Sequence, residues 1–246
     1  TSVSVMGVNN ETGAITDMAA VSKMVRRYAP QAMLHTDAVQ AACWIDLRTI
    51  WPLVDTMALS AHKFGGPKGV GILVVREGKY FEPTVLGGGQ ERDRRSGTHN
   101  VGGIVAAAEA LRITDVERGN EVARISALRD KLFAGLLAID GAHRTIPAEH
   151  SVPGIVHLCL QGIESESLLY LLDEVDVCAS AASACASGAM EPSHVLAAMG
   201  LSSDLTMGAL RLSLGHTTTE NDIDRAIEAI IEAVTRIRAI QNRRSL

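Results

Sequence analysis

Aromatic residues make up only 3% of this 246-residue chain, which leaves few rings for stacking on nucleobases. Runs of like charge are missing as well, and the net charge is −5, so neither direct nucleic-acid binding nor attachment to a membrane surface is expected. No apolar run approaches the ~18 residues of a membrane-spanning helix, and no basic segment leads into an apolar core as in a secretory signal. The four cysteines, Cys43, Cys159, Cys178 and Cys185, include no C-x-x-C pair. A chain of this size does not depend on disulfide staples, so free thiols in a reducing cytoplasm are expected. No metal-ligand spacing occurs. The phosphate-binding pattern G-x-x-x-x-G-K-[ST] also fails, because Lys68 in "SAHKFGGPKGVG" is followed by Gly69.

What the chain does hold is an ordinary globular composition, 47% hydrophobic and 21% charged, with alanine, valine and leucine to build the core. "SVSVMGV" alternates as a strand, and "NNETG" has turn chemistry. Asp17 is placed to cap a helix through "MAAVSKMVRRYA", with Met18, Val21, Met24 and Val25 on one face. "AMLHTD", "LVDTMALSA" and "GVGILVVR" read as three more strands. This is the alternation of an α/β sheet. Ligands in such sheets sit beyond the carboxyl ends of the strands, where Asn10, Asp37 and Lys63 fall. Residues 100–139 read as long helical stretches with a break at Gly119. Then follow "GIVHLCL" (strand), "ESESLLYLLDE" (helix), "VDVCAS" (strand), "PSHVLAAM" (helix), "ALRLSL" (strand) and a final helix from Glu220. The change of pattern divides the chain into domains 1–108 and 109–246.

Lys63 follows a strand directly and precedes two glycines that allow close backbone approach. A lysine there is either a solvated surface residue or, if desolvated, an amine that forms a bond. Asp37 in "HTDAVQ" either caps a turn or pairs with the ring nitrogen of a pyridoxal 5'-phosphate (PLP) held by Lys63, keeping the ring an electron acceptor. The pair carries more weight than either member.

Six segments together, "VNNETG", "HTDAVQ", "SAHKFGGPKGVG", "GGGQERDRRSGT", "SACASG" and "LRLSLG", resemble the cysteine desulfurases of the NifS/IscS type, class V aminotransferase-like enzymes of PLP fold type I. The resemblance implies a partial large domain with a mainly parallel sheet, followed by a smaller α/β C-terminal domain that carries the catalytic cysteine loop. It implies that Lys63 bonds PLP, that Asp37 pairs with the pyridine nitrogen, and that Gln40 and Asn10 contact the phenolic oxygen. Ser60 and His62 match phosphate ligands. Thr98 matches a threonine that reaches the cofactor phosphate of the neighbouring subunit, so a homodimer with shared active sites is implied. Arg211 matches the arginine that clamps the substrate carboxylate, and Cys185 the nucleophilic cysteine. Small and polar neighbours surround Cys185 in "SAASACASG", which suits a loop more than a core, whereas Cys43, Cys159 and Cys178 read as packing residues.

The activity implied is conversion of L-cysteine to L-alanine, with the sulfur kept on Cys185 as a persulfide and passed to an acceptor such as an iron–sulfur scaffold or a nucleic-acid thiolation system. Two features depart from the family. Ala182 replaces a glycine of the cysteine loop, and His99 stands where a proline is usual in "RSGTHN". The family's ring-stacking histidine and a Gly-Thr phosphate segment lie upstream of Thr1. The chain is therefore expected to lack the N-terminal part of the large domain and to bind PLP poorly by itself. Rival readings are a selenocysteine lyase or aminotransferase of the same fold, and a non-catalytic scaffold of sulfur transfer.

Overall fold

The computed structural model describes residues 1–181 and 193–244. It divides into two compact units, one formed by Thr1–Val8 and Thr16–Arg118, the other by Asn9–Ile15 and Gly119–Leu246.

The first unit holds a four-stranded sheet in the order β1 (Ser2–Met6), β2 (Met33–Asp37), β3 (Thr56–Ser60) and β4 (Gly71–Val75). β1, β2 and β3 run parallel, and β4 pairs antiparallel with β3. The mainly parallel sheet expected from the sequence is thus present. α1 (Met18–Tyr28) makes the crossover from β1 to β2. Its N-cap is Asp17, whose Oδ1 accepts from the Ala20 N–H at 2.9 Å, and Arg26 and Arg27 occupy the last turn, where positive charge suits the helix dipole. Its buried face is Met18, Ser22 and Val25, not the all-apolar set read from spacing, since Met24 is exposed. Ser22 takes the inner place because its hydroxyl donates to the Leu53 carbonyl at 2.7 Å.

Asp55, just before β3, is buried. Its carboxylate accepts from the Leu34 N–H and pairs with Arg26 and Lys79 at 2.9 and 3.1 Å. Burial alone would raise its pKa, but these hydrogen bonds and charges outweigh that and hold the carboxyl below its ordinary value. β2 and β3 are thereby locked in register.

α2 (Leu47–Ile50) and α3 (Gln90–Asp93) are single turns. In the second, Glu91 and Arg92 have left-handed φ of 51° and 58°. α4 (Val101–Leu136) runs through Gly119 without a break. A lone glycine costs a helix only ~1 kcal/mol against alanine, too little to interrupt 36 residues. The two units divide at this point, between Arg118 and Gly119.

The second unit holds an antiparallel sheet of β5 (Ala142–Arg144), β6 (Ile155–Leu160) and β7 (Ala209–Ser213), with β6 in the centre and all six of its residues buried. Around it lie α5 (Ser165–Asp173), α6 (His194–Ala198), α7 (Ser203–Thr206) and α8 (Glu220–Arg244). α8 buries Ile223, Ile230, Ala233, Val234 and Ile237, the stripe of an amphipathic helix. A Cβ at Gly135 would stand 2.6 Å from Ile227 Cδ1, so glycine there lets the helices approach closely. The expected strand "VDVCAS" does not form. Asp176 adopts a left-handed φ of 58°, which breaks the extended run, and within this stretch only Ser180 pairs, with Arg211. Cys178 is correspondingly exposed rather than packed.

Candidate active site

In the first unit, β1 and β2 end level, with Met6 opposite Asp37, and β3 carries Ala58 opposite Asp37 and runs two residues further, to Ser60. The Ala38 N–H donates to the Ala58 carbonyl at 3.0 Å, and the Asp37 carboxylate accepts from the Val39 N–H at 2.9 Å. The acid is therefore fixed in a turn at the carboxyl end of β2, half-buried beside the chain leaving β3. Gln40 lies three positions on, half-buried as well.

The chain leaving β3 makes a 3-10 turn over Ala61–Phe64, closed by Gly65 at φ 80°. Residues three apart eclipse in such a turn. Ala61 and Phe64 point inward and are buried, and His62 and Lys63 between them point out. The Ser60 hydroxyl and His62 Nδ1 lie 2.8 Å apart. The half-buried Cys43 thiol donates to the Lys63 carbonyl at 3.2 Å, and Thr114 donates to the Phe64 carbonyl at 3.3 Å. Burial pushes the Cys43 thiol up to about 11, against a small opposing effect of Arg118, so it stays a protonated donor. This turn carries the Ser60 hydroxyl, the His62 imidazole and the Lys63 amine at the carboxyl end of β3, next to the strand that ends in the Asp37 carboxylate. Lys68, beyond the turn, is exposed.

Thr98 is exposed in a cleft of about 830 Å³ with Arg92, Arg94 and Arg95 on its lining and Ile72 of β4 on its floor. Gln90 Oε1 accepts from the Gly97 N–H at 3.0 Å and so steadies the residue before Thr98. His99 Nε2 lies 3.4 Å from Glu91 Oε1, a partner that the sequence did not suggest.

The second unit holds Asn10 and Arg211. Asn9 builds the turn, its Oδ1 accepting from the Glu11 and Thr12 N–H groups at 3.0 and 2.9 Å. Asn10 is exposed, and its carbonyl accepts from Arg211 Nη1 at 3.1 Å. Glu11 turns inward, only 5% exposed, and accepts a 2.5 Å hydrogen bond from the Ser193 hydroxyl. Burial raises its pKa, opposed by the Ser193 hydrogen bond and by the charges of His194 and Arg211. Arg211 also exchanges both backbone hydrogen bonds with Ser180, at 2.8 and 3.1 Å. Cys185 and Ala182 lie outside the described residues. The last residues before that segment and the first after it are tied to Arg211 and Glu11 respectively.

Sequence reasoning passed over Glu11 and the buried His157. Each left a signal, a carboxylate inside a turn motif and an imidazole inside the apolar strand "IVHLCL". Among the described residues no three of His, Cys, Asp and Glu cluster as metal ligands, and no helix is long and apolar enough to cross a membrane.

A mainly parallel sheet followed by an antiparallel one is the frame on which these side chains stand, and known proteins resemble the chain over most of its length. The chain belongs to the aminotransferase class-V family, whose model matches residues 1–226. It is 40% identical over 239 residues to a cysteine desulfurase of Trichormus azollae, and 39% identical over 236 residues to the cysteine desulfurase IscS of Methanosarcina thermophila. These alignments cover 97% and 96% of the chain but 59% and 58% of the relatives. A solved NifS-like protein superposes with a TM-score of 0.85 at 37% identity, over 95% of this chain and 60% of that one. The chain thus spans about three-fifths of the length of the relatives it matches.

Proposed function

We propose that this chain belongs to a PLP-dependent cysteine desulfurase that converts L-cysteine to L-alanine and keeps the sulfur on Cys185 as a persulfide. The observation that carries the reading is the turn after β3, which presents Lys63 to solvent between two buried anchors, beside the Ser60–His62 pair and after the strand that pairs with the one ending in Asp37. Residues 1–108 would be the C-terminal portion of the PLP-binding domain and 109–246 the small domain, the passage between them running along α4. The relatives bear the name cysteine desulfurase.

The donor set fits the cofactor. A hydroxyl and an imidazole nitrogen, 2.8 Å apart, suit a phosphate. A carboxylate fixed on a backbone N–H suits a protonated ring nitrogen, and an exposed amine suits a bond to the aldehyde carbon. PLP, when bound, supplies a sink for the electrons left on the substrate α-carbon. Asp37 would keep the ring nitrogen protonated, Ser60 and His62 would hold the phosphate, and Gln40 and Asn10 would donate to the phenolic oxygen. The Lys63 amine would carry the proton to and from the substrate α-carbon. The Arg211 fork would grip the substrate carboxylate through two parallel hydrogen bonds. Cys185, as thiolate, would attack the substrate sulfur. The carbon–sulfur bond would break with its electron pair staying on carbon, which takes up a proton to become the alanine methyl group.

A second copy of the chain would bring its Thr98 to the phosphate of the first. Exposed Leu73, Tyr80, Leu86 and Val101 in the same unit support such a contact. The acceptor of the persulfide would be an iron–sulfur scaffold or a thiolation protein, in a reducing cytoplasm that keeps Cys43, Cys159 and Cys178 free.

The test feeds L-cysteine to the full-length, PLP-loaded protein and maps persulfide by mass spectrometry. Alanine release with sulfur on Cys185, abolished in Cys185→Ser, is expected. Sulfur that remains after that substitution would overturn the assignment.

A further inference from the structure

His157 has no part in the function proposed above, yet it occupies the middle of β6 at 2% exposure. It pairs across the ladder with Arg211 of β7. Directly opposite residues of antiparallel strands leave the same face, with Cβ atoms about 5 Å apart, so imidazole and guanidinium are neighbours. His157 Nδ1 lies 2.6 Å from the Thr145 hydroxyl. His157 Nε2 and Arg211 Nε are both buried and as placed neither makes a hydrogen bond, to the other or to any further group, so a small side-chain rotation would close the pair. The Nε of an arginine is always a donor. A ring nitrogen on the same face completes it only by offering a lone pair.

We propose that His157 is a positioning residue for Arg211, acting as the neutral tautomer that donates from Nδ1 to Thr145 and offers its Nε2 lone pair to the arginine Nε–H. Three features of the unit agree with this assignment. Burial, with the Arg211 charge adding to it, pushes the His157 ring down to about 4, so the ring is neutral near pH 7. Burial raises the Cys159 thiol pKa, and Thr145, acting as a donor beside it, opposes that, so the hydroxyl has a use for its single proton and its lone pairs remain for the Nδ1–H. Arg211 Nη1 is already held by the Asn10 carbonyl. With Nε fixed as well, the guanidinium plane has one orientation, and the carboxylate of the substrate meets a preset fork rather than a swinging side chain. The opposite tautomer would set N–H against N–H in a buried site, an arrangement that leaves both donors unsatisfied.

This assignment rests on the reading of Arg211 as the carboxylate receptor, and its test separates the two. In full-length protein with ¹⁵N-labelled histidine, the His157 resonances at pH 7 should show an unprotonated Nε2 and a protonated Nδ1. A protonated Nε2 overturns the proposal, and this measurement needs no variant to fold. In Arg211→Leu the ring pKa should rise, and an unchanged value counts against the pairing. In steady-state assays His157→Leu should raise KM for L-cysteine about three- to tenfold with kcat changed by less than about twofold. His157→Gln, which offers an amide oxygen in place of the ring nitrogen, should recover most of that loss. A fall in kcat alone, or no recovery by glutamine, overturns the positioning role. Absence of alanine formation by the unsubstituted protein would instead defeat the desulfurase reading, while the tautomer would still be decided by the ¹⁵N signals.

Discussion

Lys63 stands in solvent on a turn whose flanking residues are buried, whereas Arg211 lies with its Nε inside a buried polar cluster that includes Glu11 and His157. In the first unit the backbone does the placing. Parallel strands hold one register, a 3-10 turn eclipses Ala61 with Phe64, and the side chain between them needs no partner of its own to point outward. In the second unit side chains place one another, and each must satisfy its neighbour in a low-dielectric interior. Substitutions should therefore separate function from stability in the first unit and couple them in the second.

The sharpest form of that contrast is Lys63→Ala. Alanine formation from L-cysteine by the full-length protein should fall by at least about 10³-fold if Lys63 is the bond-forming amine proposed above, because the turn offers no other. Stability should move by less than about 0.5 kcal/mol, as for other exposed positions, when measured by denaturant titration without added PLP. A large loss of stability would show that the turn depends on its lysine and would break the comparison.

Acid should act on the second unit with a defined sign. The folded His157 ring titrates at about 4 against an ordinary 6.5, so between those values the unfolded chain binds the extra proton. Stability from this group is present above pH 6.5 and is lost as pH falls towards 4, by on the order of 3 kcal/mol. Glu11 has the opposite sign. Its folded pKa lies above 4.5, so the unfolded chain loses its proton first, and stability declines as pH rises from 4.5 through the folded value. Denaturant titrations between pH 4 and 8 resolve the two, with His157→Gln flattening the acid limb and Glu11→Gln flattening the other. If His157→Gln leaves the acid limb unchanged, the ring is not the group responsible.

How much of this was legible beforehand follows the same divide. The strands of the first unit and the turn around Lys63 were readable because short parallel strands alternate with caps and glycines, all local signals. Asp17 as a cap is one example. Gly119 misled because a single glycine is a weak signal against the length of α4. Met24 misled because periodicity does not show that Ser22 has a carbonyl waiting for its hydroxyl. In the second unit, Glu11 and Ser193 meet across 182 positions of sequence, and His157 meets Arg211 only once β6 and β7 pair. No local pattern carries such pairings. The "VDVCAS" strand failed for the reverse reason, since a left-handed Asp176 cancels an apolar run that had looked sufficient.

Glu11 offers a milder test of side-chain placement. Glu11→Ala leaves the Ser193 hydroxyl without its acceptor and should cost about 1–3 kcal/mol. Glu11→Gln keeps an oxygen for Ser193 and removes a buried charge, so at pH 7 its stability should equal or exceed that of the unsubstituted protein. Equal losses in both variants would mean that the negative charge, rather than the hydrogen bond, holds the turn.

The smallest effect is expected at Cys43, whose side chain contacts the backbone of the Lys63 turn. Its thiol is held at about 11 by burial and donates to the Lys63 carbonyl. At pH 8 it should resist alkylation by iodoacetamide, since the thiolate is the reactive form, while exposed Cys178 should be modified first. Cys43→Ala removes one weak hydrogen bond and should cost about 0.5–1 kcal/mol, with Cys43→Ser restoring part of it through a hydroxyl donor. If alanine formation drops far more than stability does in Cys43→Ala, the Lys63 turn relies on a side chain after all. Placement in the first unit would then differ from that in the second by degree rather than by kind.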